Sequence, residues 1–281
     1  YLNNLLEHFS SDLAMDLGTA NTLIYTKEKG IVLNEPSVIA VNPTGNSIEA
    51  VGLDAKHMYG RTHDQLNAIR PMKDGVIADF DSTHRMITHF IKKILKKYWF
   101  IKPRIVVGIP TCITQVEKKA VIDSARIAGV RDVYLVEEPM AAAVGVGIPV
   151  HKAEGNMVVD IGGGTSDVAV ISLSAIAHGE SVRVGGDEMD EAIVRHMRIN
   201  HHLNIGVFAG ERAKIEAGSA YRLKKKLTTS VKGLDIQTGT PTSVVVDDKE
   251  IREAINDPLS TIITVIMRTL EKTSPELSAD I

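Results

Sequence analysis

One cysteine, one tryptophan and an aromatic share of 4% are what this chain of 281 residues is short of. Cys112 alone rules out an internal disulfide, which fits a reducing, cytoplasmic setting. Its neighbours, Ile109-Pro110-Thr111 and Ile113, supply no base, so it reads as a small packing residue rather than a catalytic thiol. A strong net charge is also lacking: 32 Lys and Arg against 35 Asp and Glu leave −3, without the basic excess of a nucleic-acid binder. No apolar run approaches the roughly eighteen residues that a membrane-spanning helix needs. The start has neither a basic end nor a small-residue cleavage site, so it is not a signal peptide. The histidines, His201-His202 among them, show no zinc spacing with Cys or carboxylates, and neither a Walker A run nor a Gly-x-Ser-x-Gly elbow occurs.

What remains is an ordinary globular composition, 44% hydrophobic and 24% charged, long enough for two cores. Its organising stretch is residues 156–171, Asn156-Met-Val-Val-Asp160-Ile-Gly162-Gly163-Gly164-Thr165-Ser166-Asp167-Val-Ala-Val-Ile171. Two β-branched runs flank a small polar block, which predicts strand, tight turn, strand. Three glycines allow positive φ and close approach to a bulky anion. Thr165 and Ser166 add hydroxyls, and Asp160 and Asp167 bracket the turn with carboxylates able to hold Mg²⁺ directly or through water. A plain glycine-rich hairpin accounts for such a stretch equally well. The same layout occurs earlier, however, as Leu13-Ala-Met-Asp16-Leu17-Gly18-Thr19-Ala20-Asn21-Thr22-Leu-Ile-Tyr25. Two copies predict two similar half-domains presenting facing clamps to one polyphosphate.

Residues 1–12 open the chain with Tyr1, Leu2, Leu5, Leu6 and Phe9 on one helical face, either a short membrane anchor or a packed terminal helix. Strands are expected at 30–41 and 47–51 with a turn at 43–46, then a short helix near 54–59 and a helix starting at Asp81-Ser82-Thr83. Met86, Ile87, Phe90, Ile91, Ile94 and Leu95 form its apolar stripe. Tyr98-Trp99-Phe100-Ile101 is a dense apolar cluster, read as core or as a loop that touches membrane. A buried strand at 104–110, a capping-box helix from Thr114, and a strand at 133–136 follow, so strands and helices alternate as in α/β proteins. Glu138 stands where that strand ends and a Pro139-started helix begins, a place that points into a ligand crevice but also suits a solvated helix-start acid.

Past the second clamp, Gly185-Gly186-Asp187 opens a helix with Asp187 as its expected N-cap. A helix is expected over 211–223, where Glu211 and Lys214 sit one turn apart, placed for a ribose or base edge or for a surface ion pair. Strands are expected at 228–231, 234–238 and 242–246, and helices at 249–254 and 258–272.

Taken together, the two clamps, Glu137-Glu138-Pro139-Met-Ala-Ala-Ala143 and the Gly185-Gly186-Asp187 helix, in this order, resemble the actin, sugar-kinase and DnaK-type chaperone superfamily. Asp16-Leu-Gly-Thr-Ala-Asn21, Asn34-Glu-Pro-Ser-Val38 and Ile69-Arg-Pro-Met-Lys-Asp-Gly-Val-Ile-Ala-Asp79 narrow the likeness, over nearly the whole chain, to the MreB-type bacterial actins. The resemblance implies an actin-like α/β fold of two ribonuclease H-like halves around a nucleotide cleft. The implied parts are an N-terminal segment 1–12, subdomain IA (13–32 and 76–143), IB (33–75), IIA (144–181 and 247–281) and IIB (182–246).

It further implies a slow ATPase using ATP/ADP and Mg²⁺. Gly18, Thr19, Ala20 and Asn21 would meet the phosphates from one side, and Gly162, Gly163, Gly164 and Thr165 from the other. Asp16 and Asp160 would order Mg²⁺ and its waters, Glu138 and Asp160 would be catalytic with Glu138 placing the hydrolytic water, Glu211 and Lys214 would touch ribose or adenine, and Gly185 and Asp187 would line the crevice. The implied setting is a homopolymeric filament on the inner face of the plasma membrane, touching lipid through Leu2, Leu5, Leu6, Phe9, Trp99 and Phe100. Its implied partners are cell-wall synthesis and membrane morphogenesis proteins, not nucleic acid. A small-molecule kinase or a non-hydrolysing scaffold on the same fold are the alternatives. Departures from the family pattern stand out: a glycine-rich adenosine loop is expected after Ile281, where the sequence stops, the loop before Pro103 is shorter than expected, and Val207-Phe208-Ala209-Gly210 replaces a more polar stretch.

Overall fold

Alternation of buried and exposed residues in Leu13–Leu17, Asn21–Thr26 and Gly30–Pro36 sends one side of each strand into a core, and these three (β1 to β3) pair antiparallel in sequence order. The structure is a computed structural model describing residues 12–42, 47–60, 66–95, 102–111 and 113–281. The expected membrane residues Leu2, Leu5, Leu6, Phe9, Trp99 and Phe100, the 43–46 turn and Cys112 lie outside them.

The chain continues through β4 (Ile39–Val41), β5 (Ile48–Val51), α1 (Leu53–Met58) and β6 (Asn67–Ile69), a small antiparallel sheet with its own core of Val38, Ala40 and Ala55. A two-stranded hairpin, β7 (Met72–Lys73) and β8 (Val76–Ile77), leads into α2 (Phe80–Leu95). That helix starts just ahead of the expected Asp81, because the Asp79 carboxylate accepts the Ser82 N–H at 3.0 Å. Then come β9 (Arg104–Ile109), α3 (Gln115–Ile127), β10 (Asp132–Glu137) and α4 (Glu138–Gly145). Thr114 and Glu117 form the expected capping box on α3. Strands β9 and β10 join β1 in parallel, giving the five-stranded order β10-β9-β1-β2-β3. Met86, Ile87, Phe90 and Ile91 of α2 are at most 1% exposed beneath this sheet, each contributing about 1.5–3 kcal/mol of burial. The strand at 104–109 is buried on one side only, since Val106 faces a cavity and is 41% exposed.

The second half repeats the antiparallel opening: β11 (Asn156–Ile161), β12 (Ser166–Ser172) and β13 (Ala175–Val182) run in sequence order, with every residue of β12 buried. Helix α5 (Gly186–Asn200), β14 (Leu203–Asn204) and α6 (Val207–Ala217) follow. Helix α6 lies earlier than the expected 211–223, ending at Gly218, where a Cβ would stand 2.2 Å from the Lys214 carbonyl oxygen. Strand β15 (Thr228–Asp235) runs straight through Gly233, where a break at 231–234 was expected. A Cβ there would lie 2.5 Å from the Asn204 carbonyl oxygen, so glycine allows β14 to pack close. The expected strand tail at 236–238 is instead a turn, with Asp235 accepting the Gln237 and Thr238 N–H groups at 2.8 and 2.9 Å. Strand β16 (Pro241–Asp247), α7 (Asp248–Ala254), α8 (Asn256–Lys272) and α9 (Pro275–Ser278) complete the chain.

Candidate functional site

Both clamps are β-hairpin turns closed in the same way: the Gly18 N–H donates to the Asn21 carbonyl at 3.1 Å, and the Gly162 N–H to the Thr165 carbonyl at 2.8 Å. They face each other directly. A Cβ built on Gly163 would stand 2.8 Å from Ala20 Cβ and 3.0 Å from its nitrogen, and one on Gly164 would stand 2.9 Å from Thr19 Oγ1. Gly163 and Gly164 are therefore required by contact with the facing jaw, whereas a Cβ on Gly162 would meet only Thr165 of its own turn. Positive φ, the expected reason for them, is not used at Gly162, Gly163 or Gly164.

Each jaw is held from behind. Ser37, from the Asn-Glu-Pro-Ser-Val stretch, donates its hydroxyl to the Gly18 carbonyl at 2.7 Å and its N–H to the Ala20 carbonyl at 2.9 Å. In the second jaw the Gly162 and Gly163 carbonyls accept the Gly186 and Asp187 N–H groups at 3.0 and 2.8 Å, so the first amides of α5 are bound to the turn. That overturns the N-cap expected at Asp187. Gly185 takes the cap position, and the Asp187 carboxylate turns outward to Arg70 Nη1 at 2.7 Å.

A third piece, which sequence reasoning missed, closes one side. Asp74 and Gly75 form the β7–β8 turn with φ of 52° and 73°, both left-handed. The Gly75 N–H donates to Thr19 Oγ1 at 3.1 Å, and a Cβ on Gly75 would be 2.4 Å from Thr165 Cγ2. The Asp-Gly pair between Met72-Lys73 and Val76-Ile77 was the available signal.

Between the jaws lies a cavity of 640 Å³, within the usual span of small-molecule sites, about 300–1,000 Å³. It is lined by Asp16, Gly18, Thr19, Ala20, Asn21, Glu138, Asp160, Gly162, Gly163 and Thr165, joined by Gly75, Gly108 and Pro110. Gly164 packs against the Asp74 turn. Gly185, Asp187, Glu211 and Lys214 are not brought into it. Lys214 Nζ is held at 2.7 Å by both the Gly186 carbonyl and Asp190, and Glu211 pairs with Lys56 at 2.8 Å.

Carboxylates dominate the electrostatics. Burial, then Asp16, Asp167 and Asp160, push Glu138 up to about 8. Burial and then Asp160 raise Asp16, while burial and then Asp167 raise Asp160. Glu138 is placed by the β10–α4 junction, its side chain passing over Gly108 of β9, where an added Cβ would already touch Glu138 Cγ at 3.4 Å. It is thus a half-buried acid at the helix start, facing the cleft rather than bulk solvent. Buried Asp167 accepts the Thr111 N–H at 3.0 Å, tying the base of the second jaw to the end of β9.

A sequence-family profile described as MreB/Mbl protein matches residues 10–281. This chain belongs to the MreB/Mbl family. Cell shape-determining protein MreB of Escherichia coli (strain K12) is 50% identical over 278 residues, covering 97% of this chain and 80% of that protein. Mbl of Bacillus subtilis (strain 168), also described as cell shape-determining, is 45% identical over 273 residues, covering 97% of this chain and 82% of that protein. MreB5 of Spiroplasma citri, solved with ADP, superposes with a TM-score of 0.91 at 33% identity, covering 97% of this chain and 82% of that one. The MreB/Mbl chain accordingly has the actin-like α/β fold, and the paired hairpin jaws are its central feature.

Proposed function

We propose that this MreB/Mbl chain binds ATP with Mg²⁺ between the two jaws, hydrolyses it slowly to ADP and phosphate, and couples turnover to assembly of homopolymeric filaments. The convergence of Asp16, Glu138, Asp160 and Asp167 at the jaws carries this reading. A set of hard oxygen donors suits Mg²⁺ held through its waters, and like charges pressed together favour a divalent cation among them. The Mg²⁺ nucleotide, when bound, supplies an electrophilic phosphorus and a leaving diphosphate. The relative MreB5 has been solved with ADP and with AMPPNP.

In this reading Gly18, Thr19, Ala20 and Asn21 meet the phosphates from one jaw, and Gly162, Gly163, Gly164 and Thr165 from the other. Asp16 and Asp160 order the metal's waters. Glu138 is set to accept a proton-side hydrogen bond from the attacking water at its carboxylate oxygens, positioning it rather than forming a covalent bond. Gly185 and Asp187 frame the outer wall, and Glu211 and Lys214 serve the ribose or adenine. Residues 33–75 and 182–246 act as outer subdomains that close over the cleft.

The relatives' shape-determining role extends to this chain as a filament organising cell-wall synthesis on the inner face of the plasma membrane. Among the described residues no helix is long and apolar enough to cross a membrane, so attachment is assigned to Leu2, Leu5, Leu6, Phe9, Trp99 and Phe100. One experiment tests the reading: sedimentation with ATP, ADP or AMPPNP, with and without anionic vesicles, alongside phosphate release. ATP-dependent pelleting with slow phosphate release supports it. Phosphate passing to a small-molecule acceptor would make the protein a kinase, and neither turnover nor nucleotide-dependent pelleting would overturn the proposal.

A further inference from the structure

Far along the sequence from the jaws, three side chains converge that the sequence does not bring together. His196 lies four residues before the end of α5, His201 is that helix's C-cap, and Glu250 sits in the first turn of α7. Glu250 Oε1 lies 3.0 Å from His196 Nε2 and also contacts His201 Nε2, and one ligand atom from each residue falls within 4.8 Å of the others. None of the three lines the cleft.

The scaffold under them is packed. Ile193 and Met197 of α5, Leu203 and Ile251 are all fully buried in one core, so the backbone carrying the three side chains cannot drift. His201 is fixed by its N–H bond to the Met197 carbonyl at 3.1 Å, and the left-handed His202 (φ 50°) turns the chain at once into β14. Glu250 is fixed by its N–H bond to the Asp247 carboxylate at 2.9 Å, the α7 cap. Asn200 reaches the His196 ring at 3.1 Å.

The side chains remain reachable, with relative exposures of 14% for His196, 25% for His201 and 24% for Glu250. A tetrahedral ion with bonds of about 2.0–2.1 Å spaces its ligand atoms about 3.3 Å apart; here Glu250 Oε1 stands 3.0 Å from His196 Nε2, and all three ligand atoms fall within 4.8 Å. Two neutral imidazoles and one carboxylate, with water in the fourth position, form a donor set for Zn²⁺ and its borderline neighbours rather than for Mg²⁺, which prefers oxygen alone.

We infer that His196, His201 and Glu250 form a transition-metal site, selective for Zn²⁺ over Mg²⁺, that pins the end of α5 to the start of α7. A hydrogen-bonded His–Glu–His cluster with no affinity for metal is the competing account.

The test uses the full chain, untagged and stripped with chelator. Calorimetric titration with Zn²⁺ should show one equivalent bound, unaffected by millimolar Mg²⁺, and Co²⁺ in its place should give the visible absorption of a tetrahedral ion. Thermal unfolding should shift upward with Zn²⁺. His201→Gln and Glu250→Gln should each weaken Zn²⁺ binding by roughly tenfold or more, while His202→Gln, one residue away, leaves it unchanged. Folding of each variant is checked by circular dichroism. Absence of a stoichiometric site, or equal affinity in a folded His196→Gln/His201→Gln double variant, overturns the inference.

Discussion

Lys56 Nζ and Glu211 Oε2, 155 residues apart in the chain, meet at 2.8 Å and bridge the two halves of the molecule. Phe208 lies beneath the bridge, with Lys56 Nζ 4.8 Å and the Arg70 guanidinium 5.5 Å from its ring centre and Tyr59 edge-on at 5.2 Å. Arg70 in turn pairs with Asp187. The apolar Val207-Phe208-Ala209-Gly210 stretch thus supplies the ring on which this crossing rests. Three-quarters covered, the Lys56–Glu211 pair is worth on the order of 1 kcal/mol.

Breaking it should speed exchange at the cleft. Lys56→Gln, which breaks the pair and leaves Glu211 itself in place, is expected to raise the dissociation rate of a fluorescent ATP analogue about fivefold, following from a pair worth about 1 kcal/mol. An unchanged release rate in the folded variant would show that the pair does not control opening.

Glu138 makes stability depend on pH. Its carboxyl is raised from an ordinary 4.5 to about 8, so the folded protein keeps a proton that the unfolded chain has lost between those values. Stability of metal-free, nucleotide-free protein therefore falls as pH rises from 4.5 to about 8. Asp16 and Asp160, both raised, add to the slope in the same direction. Glu138→Gln should flatten it, leaving the variant more stable at pH 9 by on the order of a few kcal/mol and nearly equal at pH 5. Urea unfolding at the two pH values measures this, and parallel profiles would refute it. The same variant should lose on the order of 10²-fold in phosphate release with nucleotide affinity nearly intact.

Two left-handed glycines separate backbone strain from crowding. Gly30 has φ of 71° with nothing near its missing Cβ, whereas Gly75, at 73°, faces Thr165 Cγ2 at 2.4 Å. Gly30→Ala should cost about 1 kcal/mol, and Gly75→Ala roughly 2 kcal/mol or more because the second jaw must also move. Equal losses in chemical denaturation would show that the β7–β8 turn does not press on that jaw.

Gly163→Val acts from jaw to jaw. Its Cβ meets Ala20 at 2.8 Å and backbone nitrogen at 3.0 Å, so the two turns must separate. ATP-dependent pelleting and fluorescent-nucleotide binding should both disappear while the circular dichroism spectrum is kept. Unchanged affinity in a folded variant would sink the clamp.

Legibility from sequence followed locality. The jaws, the Thr114 capping box and the α2 stripe are written in short-range pattern, and they stand in the structure where periodicity and turn chemistry put them. Strand β13 had no such mark, because its hairpin turns on Leu173 and Ser174 at φ of 50° and 61°, residue types that do not signal a left-handed turn. Asp187 looked like a cap, but the Gly162 and Gly163 carbonyls took the amides that a cap would serve. Lys56 with Glu211, and His196 with Glu250, are tertiary pairings 155 and 54 residues apart, beyond any local rule.

The bonds from Gly186 and Asp187 to the second jaw also make α5 a lever. The jaw's carbonyls cannot shift without dragging the helix by its first turn, and its 15 residues reach about 22 Å to the His196 end. A tilt of a few degrees at the turn becomes a displacement of more than an ångström at the far tip, beside half-exposed His201 and the start of α7. Whatever fastens that tip loads the hinge from outside, so surface contacts there and cleft geometry are two ends of one rigid rod.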